Sequence, residues 1–190
     1  MLNYFKKMRG GGKGQKIIPL SEIFWSFFGA FVGMSFLCLT LNYFKLAPLD
    51  DIFHSLSRTD MNFVIASFGA SSVLIFGVID SPLAQPRNLV GGHVLSAIVG
   101  VACYQLFSPH LWLAASIAVS ASISIMQLTK TLHPPGSATA LIAVVGSQQL
   151  HDLGYIYVLI PILRGALILL IVALLVNNMS KNRRYPKFWW

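Results

Sequence analysis

The sequence predicts an all-α membrane protein with about six membrane segments, arranged as two inverted repeats of three elements each. Hydrophobic residues make up 55% of the 190 residues and charged residues only 11%, whereas a soluble domain carries about 25% charged residues. The apolar residues form runs of the length that crosses a bilayer as a helix. Basic residues flank these runs, which is the positive-inside pattern of membrane proteins.

The formal net charge of +8 comes from the two ends of the sequence. Residues 1–20 contain five bases and no acid, and residues 181–190 contain four bases and no acid. A nucleic-acid-binding protein would carry its bases along one folded face, so this distribution argues against a nucleic-acid partner. We divide the chain into a basic cytoplasmic tail (1–20), a transmembrane domain (21–178) and a second basic cytoplasmic tail (179–190).

Six apolar runs are the predicted membrane segments. Four have clear length, namely Ile23–Phe44, Leu89–Phe107, Leu111–Leu128 and Tyr155–Val176, and two are weaker, namely Met61–Ile79 and Gly136–Gly146. Two basic termini on the cytoplasmic side require an even number of crossings. Six crossings satisfy this condition, and four would also satisfy it if both weak runs were re-entrant.

The weak runs contain two similar short elements, residues 69–79 and 136–146, which lie 67 residues apart. Each element lies between two apolar helices, so the chain repeats the order helix, short element, helix. Three crossings per copy would orient the copies oppositely, as in many transporters. An element of this length spans roughly 16 Å, about half a bilayer, if it is helical.

Pro134 and Pro135 mark the start of the second short element. Proline suits the first turn of a helix but disfavours helical backbone in the residue before it. A half-helix is therefore expected to begin near Pro135, after non-helical backbone. Such backbone persists at membrane depth only where it is buried in protein or lines a watery cavity.

The N-termini of the two half-helices are the predicted anion-binding site. A helix start presents unpaired N–H groups and the positive end of the helix dipole, and it binds anions. The candidate substrate-binding residues are Gly69, Ser71, Ser72, His133, Pro134, Pro135, Gly136, Ser137 and Thr139. The alternative is that these small residues only allow helices to approach closely.

Two long motifs, residues 81–88 followed by Gly92-His93 and residues 129–140, resemble the HPP family of small integral membrane proteins, named for its His-Pro-Pro sequence. The resemblance covers about residues 20–178. The family includes a plant plastid-envelope protein associated with nitrite transport, so the resemblance implies nitrite or a similar small anion as substrate. Some members carry appended regulatory domains, and none is expected in the 14 residues after Val176.

A second set of candidates forms an anion-attracting mouth or pathway: Arg87, Asn88, His93, Lys130 and Arg164. Arg87 and Lys130 would concentrate anions at the cytoplasmic side, or would only anchor the orientation. Arg164 lies within an apolar run, where an ionised group normally faces the bundle interior or a pathway. His93 and His133 either couple a proton to the anion or are neutral and only close the unwound backbone with hydrogen bonds.

The leading hypothesis is a transporter or channel for small monovalent anions, nitrite first, in the bacterial inner membrane with both termini cytoplasmic. We expect no enzyme activity, cofactor or metal, because no metal-ligand spacing occurs and the one candidate catalytic pair, Ser137 with His133, is poorly spaced. The expected partners are a small inorganic anion, lipid and a second copy of the chain. Small-residue faces favour close helix contact within one chain or across a dimer, and would also suit a structural or signalling subunit: Gly29/Gly33, Gly92/Ser96/Gly100 and Ser116/Ser120/Ser124.

Overall fold

The structure, a computed structural model, describes residues 17–43 and 56–190. All regular elements in these two ranges are helices. They are α1 (Leu20–Tyr43), α2 (Arg58–Ser72), α3 (Pro86–Phe107), α4 (Leu111–Leu128), α5 (Pro134–Val145), α6 (Gln148–Asp152) and α7 (Arg164–Asn177). A π-helical stretch, Val73–Gly77, continues α2, and another, Val158–Leu163, leads into α7. The predicted all-α class is confirmed.

Four apolar stretches in the described ranges are long enough to cross a membrane: Leu20–Leu41, Arg58–Gly77, Pro86–Leu128 and Val158–Asn177. The third has 43 residues and contains α3 and α4, which pack against each other across the short turn at Ser108–His110. Its length suffices for two crossings. The 12-residue α5 is apolar but shorter, so each of the six predicted segments corresponds to a helical segment.

Contacts between distant residues define the two ends of the bundle. At one end Arg183, beyond α7, forms an ion pair with Glu22 of α1 at 2.8 Å and donates a hydrogen bond to the Phe76 carbonyl at 3.0 Å. We call this end the C-terminal face. At the other end, the opposite face, the Asp60 carboxylate of α2 accepts a hydrogen bond from the Ser147 N–H at 3.0 Å. The start of α1 and the end of α7 therefore lie on one face, as an even number of crossings requires.

The first predicted half-helix, 69–79, is corrected by the structure. Gly69 lies inside α2, which begins at Arg58 and continues as the π-helical stretch to Gly77. Ser57 caps this helix, since its hydroxyl oxygen accepts a hydrogen bond from the Asp60 N–H at 3.1 Å. Between Ser57 and Gly69 the sequence contains no proline or glycine, and the polar residues that made the run look weak form the first turn of a full-length helix.

The second half-helix is present and begins at Pro134, next to the predicted start near Pro135. Residues Thr131–His133 are not helical, and His133 is extended with φ −141° and ψ 102°. This extended segment enters the bundle from the C-terminal face, and α5 continues to the opposite face. The two elements that the inverted repeat would pair, α5 and the helix from Arg58 to Gly77, differ in length, so the inverted repeat stays a prediction.

The three small-residue faces have different surroundings. On α3, a Cβ added at Gly100 would lie 2.4 Å from the Ala140 carbonyl oxygen, so this face packs directly on α5 as predicted. Gly29 faces the ring of Phe76 instead of a helix backbone. The face of α4 that carries Ser116, Ser120 and Ser124 is exposed, and each hydroxyl donates a hydrogen bond to the carbonyl four residues earlier. Its contact with a second copy stays a prediction.

The predicted C-terminal basic tail is a packed part of the fold. Tyr185 is only 2% exposed, and its hydroxyl donates a hydrogen bond to the Ala84 carbonyl at 2.7 Å. Arg183 is 7% exposed and also donates a hydrogen bond to Asn177 Oδ1 at 3.1 Å. These contacts join the segment after α7 to α1, α2 and the turn before α3. Most of the N-terminal tail, residues 1–16, lies outside the described residues.

Candidate functional site

Two histidines meet inside the bundle. His93 of α3 and His133, which precedes α5, are both completely buried, and their ring centroids are 5.1 Å apart. The Ser71 hydroxyl oxygen of α2 lies between them, 2.7 Å from His93 Nε2 and 2.9 Å from His133 Nε2. On the far side of the His93 ring, Nδ1 lies 2.8 Å from Thr139 Oγ1, which in turn lies 3.2 Å from Ser67 Oγ. We call these five residues the histidine cluster.

The local sequence explains how the cluster is assembled. Ser67 and Ser71 are four residues apart on α2 and therefore share one helix face. His133 is extended because proline follows it. Gly92 lets this extended segment approach α3, since a Cβ at Gly92 would lie 2.5 Å from the Cβ of His133. The His133 end lies close to the C-terminal face, and His93 is seven residues, roughly 10 Å, from the start of α3.

When both imidazole rings are neutral, the Leu83 carbonyl determines which group donates in each hydrogen bond of the cluster. It lies 2.8 Å from His133 Nδ1 and can only accept, so Nδ1 carries the proton. His133 Nε2 is then an acceptor and takes the single proton of the Ser71 hydroxyl in preference to the Ser67 carbonyl, which lies farther from the Ser71 oxygen, at 3.3 Å instead of 2.9 Å. Ser71 therefore accepts from His93 Nε2–H. His93 Nδ1 accepts from Thr139, whose oxygen accepts from Ser67.

The immediate surroundings of the cluster are uncharged. The ring of Phe68 lies 4.8 Å from that of His93, and the Tyr157 hydroxyl donates a hydrogen bond to the Thr139 carbonyl at 3.0 Å. None of the hydrogen bonds found within residues 17–43 and 56–190 joins an acidic or basic side chain other than histidine to the cluster. The same ranges contain no group of three His, Cys, Asp or Glu side chains that could hold a metal ion.

The predicted anion site at the start of α5 has few available donors. Pro134 and Pro135 have no N–H, and the Gly136 N–H donates to the His133 carbonyl at 2.8 Å. This helix start also packs on α3, because a Cβ at Gly136 would lie 2.8 Å from the Gly92 carbonyl oxygen. Three of the first four positions of α5 therefore offer no free N–H to an anion.

The structure brings together four of the predicted site residues, Ser71, His93, His133 and Thr139, but not the others. Ser72 donates a hydrogen bond to the Phe68 carbonyl of its own helix. Ser137 accepts a hydrogen bond from Ser122 of α4 at 3.3 Å and is not paired with His133. Gly69 lies apart from the cluster, and an added Cβ there would approach only the Met34 methyl at 4.0 Å.

Arg87 and Lys130 lie on the C-terminal face, beside an open groove of about 480 Å³. Arg87 donates a hydrogen bond to the Thr129 carbonyl at 2.6 Å, and its guanidinium carbon is 5.9 Å from the ring centroid of Trp190. Arg87, Gly91, Thr129, Thr131, Trp189 and Trp190 are among the residues that line the groove. Nearby, Asn88 donates a hydrogen bond to the Leu132 carbonyl at 2.8 Å, which fixes the segment before α5.

Arg164 lies apart from Arg87 and Lys130. It begins α7, and its guanidinium donates a hydrogen bond to the Thr40 carbonyl near the end of α1, at 3.1 Å. This end of α1 lies toward the opposite face, whereas Arg87 and Lys130 lie on the C-terminal face. The five predicted mouth or pathway residues are thus divided between the two sides of the bundle.

Sequence analysis did not identify Ser67, the Leu83 carbonyl or Tyr157 as parts of the site. One signal was present for α2, because Asp60, Ser67 and Ser71 recur at helical spacing on one face of an otherwise apolar segment. The Asp60 carboxylate belongs to this face and is 1% exposed, with Ser57 Oγ at 2.6 Å. The Leu83 carbonyl gave no signal, since any residue provides a carbonyl group.

Apolar helices of membrane-spanning length around a buried polar centre define a polytopic integral membrane protein. The sequence matches the HPP transmembrane region over residues 15–186, and the chain belongs to this family. It is 45% identical over 195 residues to one transmembrane protein of Dictyostelium discoideum and 42% identical over 192 residues to another. Both alignments include the whole chain.

The chain spans 64% and 58% of the lengths of these two relatives, which is less than two thirds of each. The relatives come from a eukaryote, so they give no support to the predicted bacterial inner membrane. No solved structure matches the chain.

Proposed function

We propose that the protein is a transporter or channel for small monovalent anions, with nitrite as the first substrate to test. The observation that carries this proposal is the completely buried chain of hydroxyl and imidazole groups inside an apolar helix bundle. Polar groups at membrane depth are costly, and they normally mark a pathway or a binding site. The family resemblance supplies the class of substrate.

The donors for the anion are side chains in this proposal, and no longer the two helix N-termini. Ser67, Ser71 and Thr139 supply hydroxyl groups, and His93 supplies a ring N–H, and anion binding requires these donors to turn from the partners that they have within the cluster. Such neutral donors replace part of the hydration of an anion without a fixed positive charge that would hold it too tightly. A small anion is the ligand that this number of closely spaced donors suits best.

Arg87 and Lys130 supply the entrance in this proposal. Both are basic, both lie on the C-terminal face, and Arg87 lines the groove of about 480 Å³. Basic residues at the mouth of a site raise the local anion concentration and the rate of entry. The positive-inside pattern supports a cytoplasmic location of this face in the proposal.

Anion flux into vesicles tests the proposal. Purified protein in liposomes should take up nitrite and nitrate above the rate of empty vesicles when an anion gradient is imposed. Nitrate is the more stringent probe, because nitrous acid crosses lipid in its neutral form and raises the background. Uptake of neither anion above the empty-vesicle rate, at any imposed pH gradient, would reject anion transport.

A serine hydrolase is a second candidate, because Ser71 lies 2.9 Å from His133 Nε2 while the Leu83 carbonyl orients the other ring nitrogen. An apolar groove of about 480 Å³, lined by Ala70, Val73, Pro134 and Pro135 among others, lies beside this serine. We nevertheless propose a non-enzymatic protein, because Ser71 is completely buried. Labelling of the wild type by a fluorophosphonate probe, and loss of that labelling in Ser71→Ala, would favour the hydrolase.

A further inference from the structure

We propose that the histidine cluster is a proton relay, in which the Ser71 hydroxyl passes a proton between His93 and His133. This inference rests on the proposed anion transport and adds that proton movement accompanies the anion. The inference starts from the distances within the cluster. One hydroxyl lies within 2.9 Å of a ring nitrogen on each of two buried imidazoles, and the outer ring nitrogens lie 2.8 Å from Thr139 Oγ1 and from the Leu83 carbonyl.

The transfer step needs no partner other than a proton from water. A proton added to His93 at Nδ1 makes that ring an imidazolium, and Thr139 then becomes the acceptor of this N–H. The Nε2 proton of His93 moves to the Ser71 oxygen while the original Ser71 proton moves to His133 Nε2. One N–H and one O–H bond break, one O–H and one N–H bond form, and nothing is oxidised or reduced. His93 is then neutral and His133 is the imidazolium.

The second ring releases the proton toward the C-terminal face. As an imidazolium, His133 carries protons on both nitrogens, and its Nδ1–H points at the Leu83 carbonyl in the turn before α3. Leu83 is half-buried on this face. Loss of the Nδ1 proton to water there makes His133 neutral with its remaining proton on Nε2, while the proton of His93 is now on Nδ1. The starting arrangement returns after each neutral ring has exchanged its proton with water to regain its first tautomer and the Ser71 hydroxyl has turned back.

The uncharged surroundings explain why an anion would travel with the proton. An imidazolium in a low-dielectric interior is costly unless an opposite charge is present. Within residues 17–43 and 56–190, the groups that hydrogen-bond to the two rings or pack a ring against them are Ser71, Thr139, Phe68 and the Leu83 carbonyl, and Tyr157 hydrogen-bonds to the Thr139 carbonyl. Since none of these supplies a negative charge, a monovalent anion beside the rings would supply it. Binding of the anion and of the proton would then favour each other reciprocally.

The test measures anion and proton movement in the same vesicles. Nitrate serves as the anion, and a trapped pH-sensitive dye reports protons. For the wild type, we expect an inward nitrate gradient to acidify the vesicle interior even without an imposed pH gradient. For Ser71→Ala, we expect the acidification per nitrate taken up to fall about a hundredfold, the scale of a positioned proton-transfer group.

Two further variants separate the relay from a folding defect. Ser122→Ala removes another completely buried serine hydroxyl, which bonds the Val119 carbonyl and Ser137 outside the cluster, and it should keep wild-type coupling. Thr139→Val keeps the side-chain volume but removes the hydroxyl beside His93 Nδ1, and it should reduce the coupling. Monodisperse elution and wild-type helical content would confirm that each variant is folded.

The possible outcomes distinguish the relay from anion transport itself. Nitrate uptake without acidification in the wild type, or full coupling in Ser71→Ala, would overturn the relay and leave anion transport standing. Absence of any anion uptake in the wild type would overturn the proposed function and the relay with it. Coupled uptake that is lost in Ser71→Ala but kept in Ser122→Ala would support both.

Discussion

Helices α2 and α5 look alike in sequence but have different roles at the site. The central part of α2 is regular helix, and it contributes Ser67 and Ser71 from within a full-length segment. In contrast, α5 begins inside the bundle, and its main contribution is the extended His133 that precedes it. A shared run of Gly, Ser and Ala therefore predicts close packing but does not predict where a helix begins.

The largest expected effect is that of Gly136→Ala at the start of α5. The new Cβ would lie 2.8 Å from the Gly92 carbonyl oxygen, and both groups belong to backbone that cannot move aside easily. We expect a loss of about 2–3 kcal/mol of stability, the upper range for overpacking. Thermal unfolding in detergent measures this loss. A melting temperature equal to that of the wild type would contradict the close packing of α5 on α3.

Asp60→Asn tests the contact between the start of α2 and the end of α5. The carboxylate accepts hydrogen bonds from the N–H of Ser147 at 3.0 Å and from Ser57 Oγ at 2.6 Å. An amide is a weaker acceptor and turns one oxygen into a donor, so we expect a loss of about 1–2 kcal/mol. Asp152→Asn, in the exposed Gln148–Asp152 hydrogen bond, is a matched control that should unfold like the wild type.

Arg87→Gln tests the proposed anion entrance on the C-terminal face, beside the segment that precedes α5. The substitution removes a charge beside the groove and the hydrogen bond to Thr129 at 2.6 Å. We expect a loss of about 1 kcal/mol of stability and a slower anion entry that depends less on salt concentration. Lys181→Gln removes the same charge from an exposed position after α7, outside the lining of the groove. Equal flux in the two variants would leave Arg87 as an orientation signal only.

The smallest expected effect is that of Gly69→Ala on α2. An added Cβ would meet only the Met34 methyl at 4.0 Å, which is an ordinary contact. Alanine favours a helix over glycine by about 0.5–1 kcal/mol, so the variant should be equally stable or slightly more stable than the wild type. A destabilisation as large as that of Gly136→Ala would mean that the two glycines are equivalent after all.

Much of the fold could be predicted from the sequence, because hydrophobic length and proline placement act locally. The six segments and the start of a half-helix near Pro135 followed from such signals. The predicted break at Gly69 failed because Arg58 and Asp60 start a capped helix whose polar first turn hid its length. No local signal showed that the His133 carbonyl would occupy the Gly136 N–H.

The centre of the site depended on packing between distant parts of the chain. Both histidines were candidates because they lie in motifs. Ser71 was chosen as a helix-start hydroxyl, and its actual partners, His93 and His133, lie 22 and 62 residues away. Close approach of the His133 segment to α3 at Gly92 helps to bring these groups within hydrogen-bond distance.

The packed C-terminal segment hydrogen-bonds to the turn before α3, which lies far from it in sequence. The Tyr185 hydroxyl donates a hydrogen bond to the Ala84 carbonyl, and the Lys187 N–H donates one to Gln85 Oε1 at 2.8 Å. The two members of each pair are about 100 residues apart in sequence. Ala84 and Gln85 directly follow Leu83, whose carbonyl selects the tautomer of His133. A molecule that displaced this segment on the C-terminal face would therefore change the protonation pattern of the buried histidines without entering the bilayer.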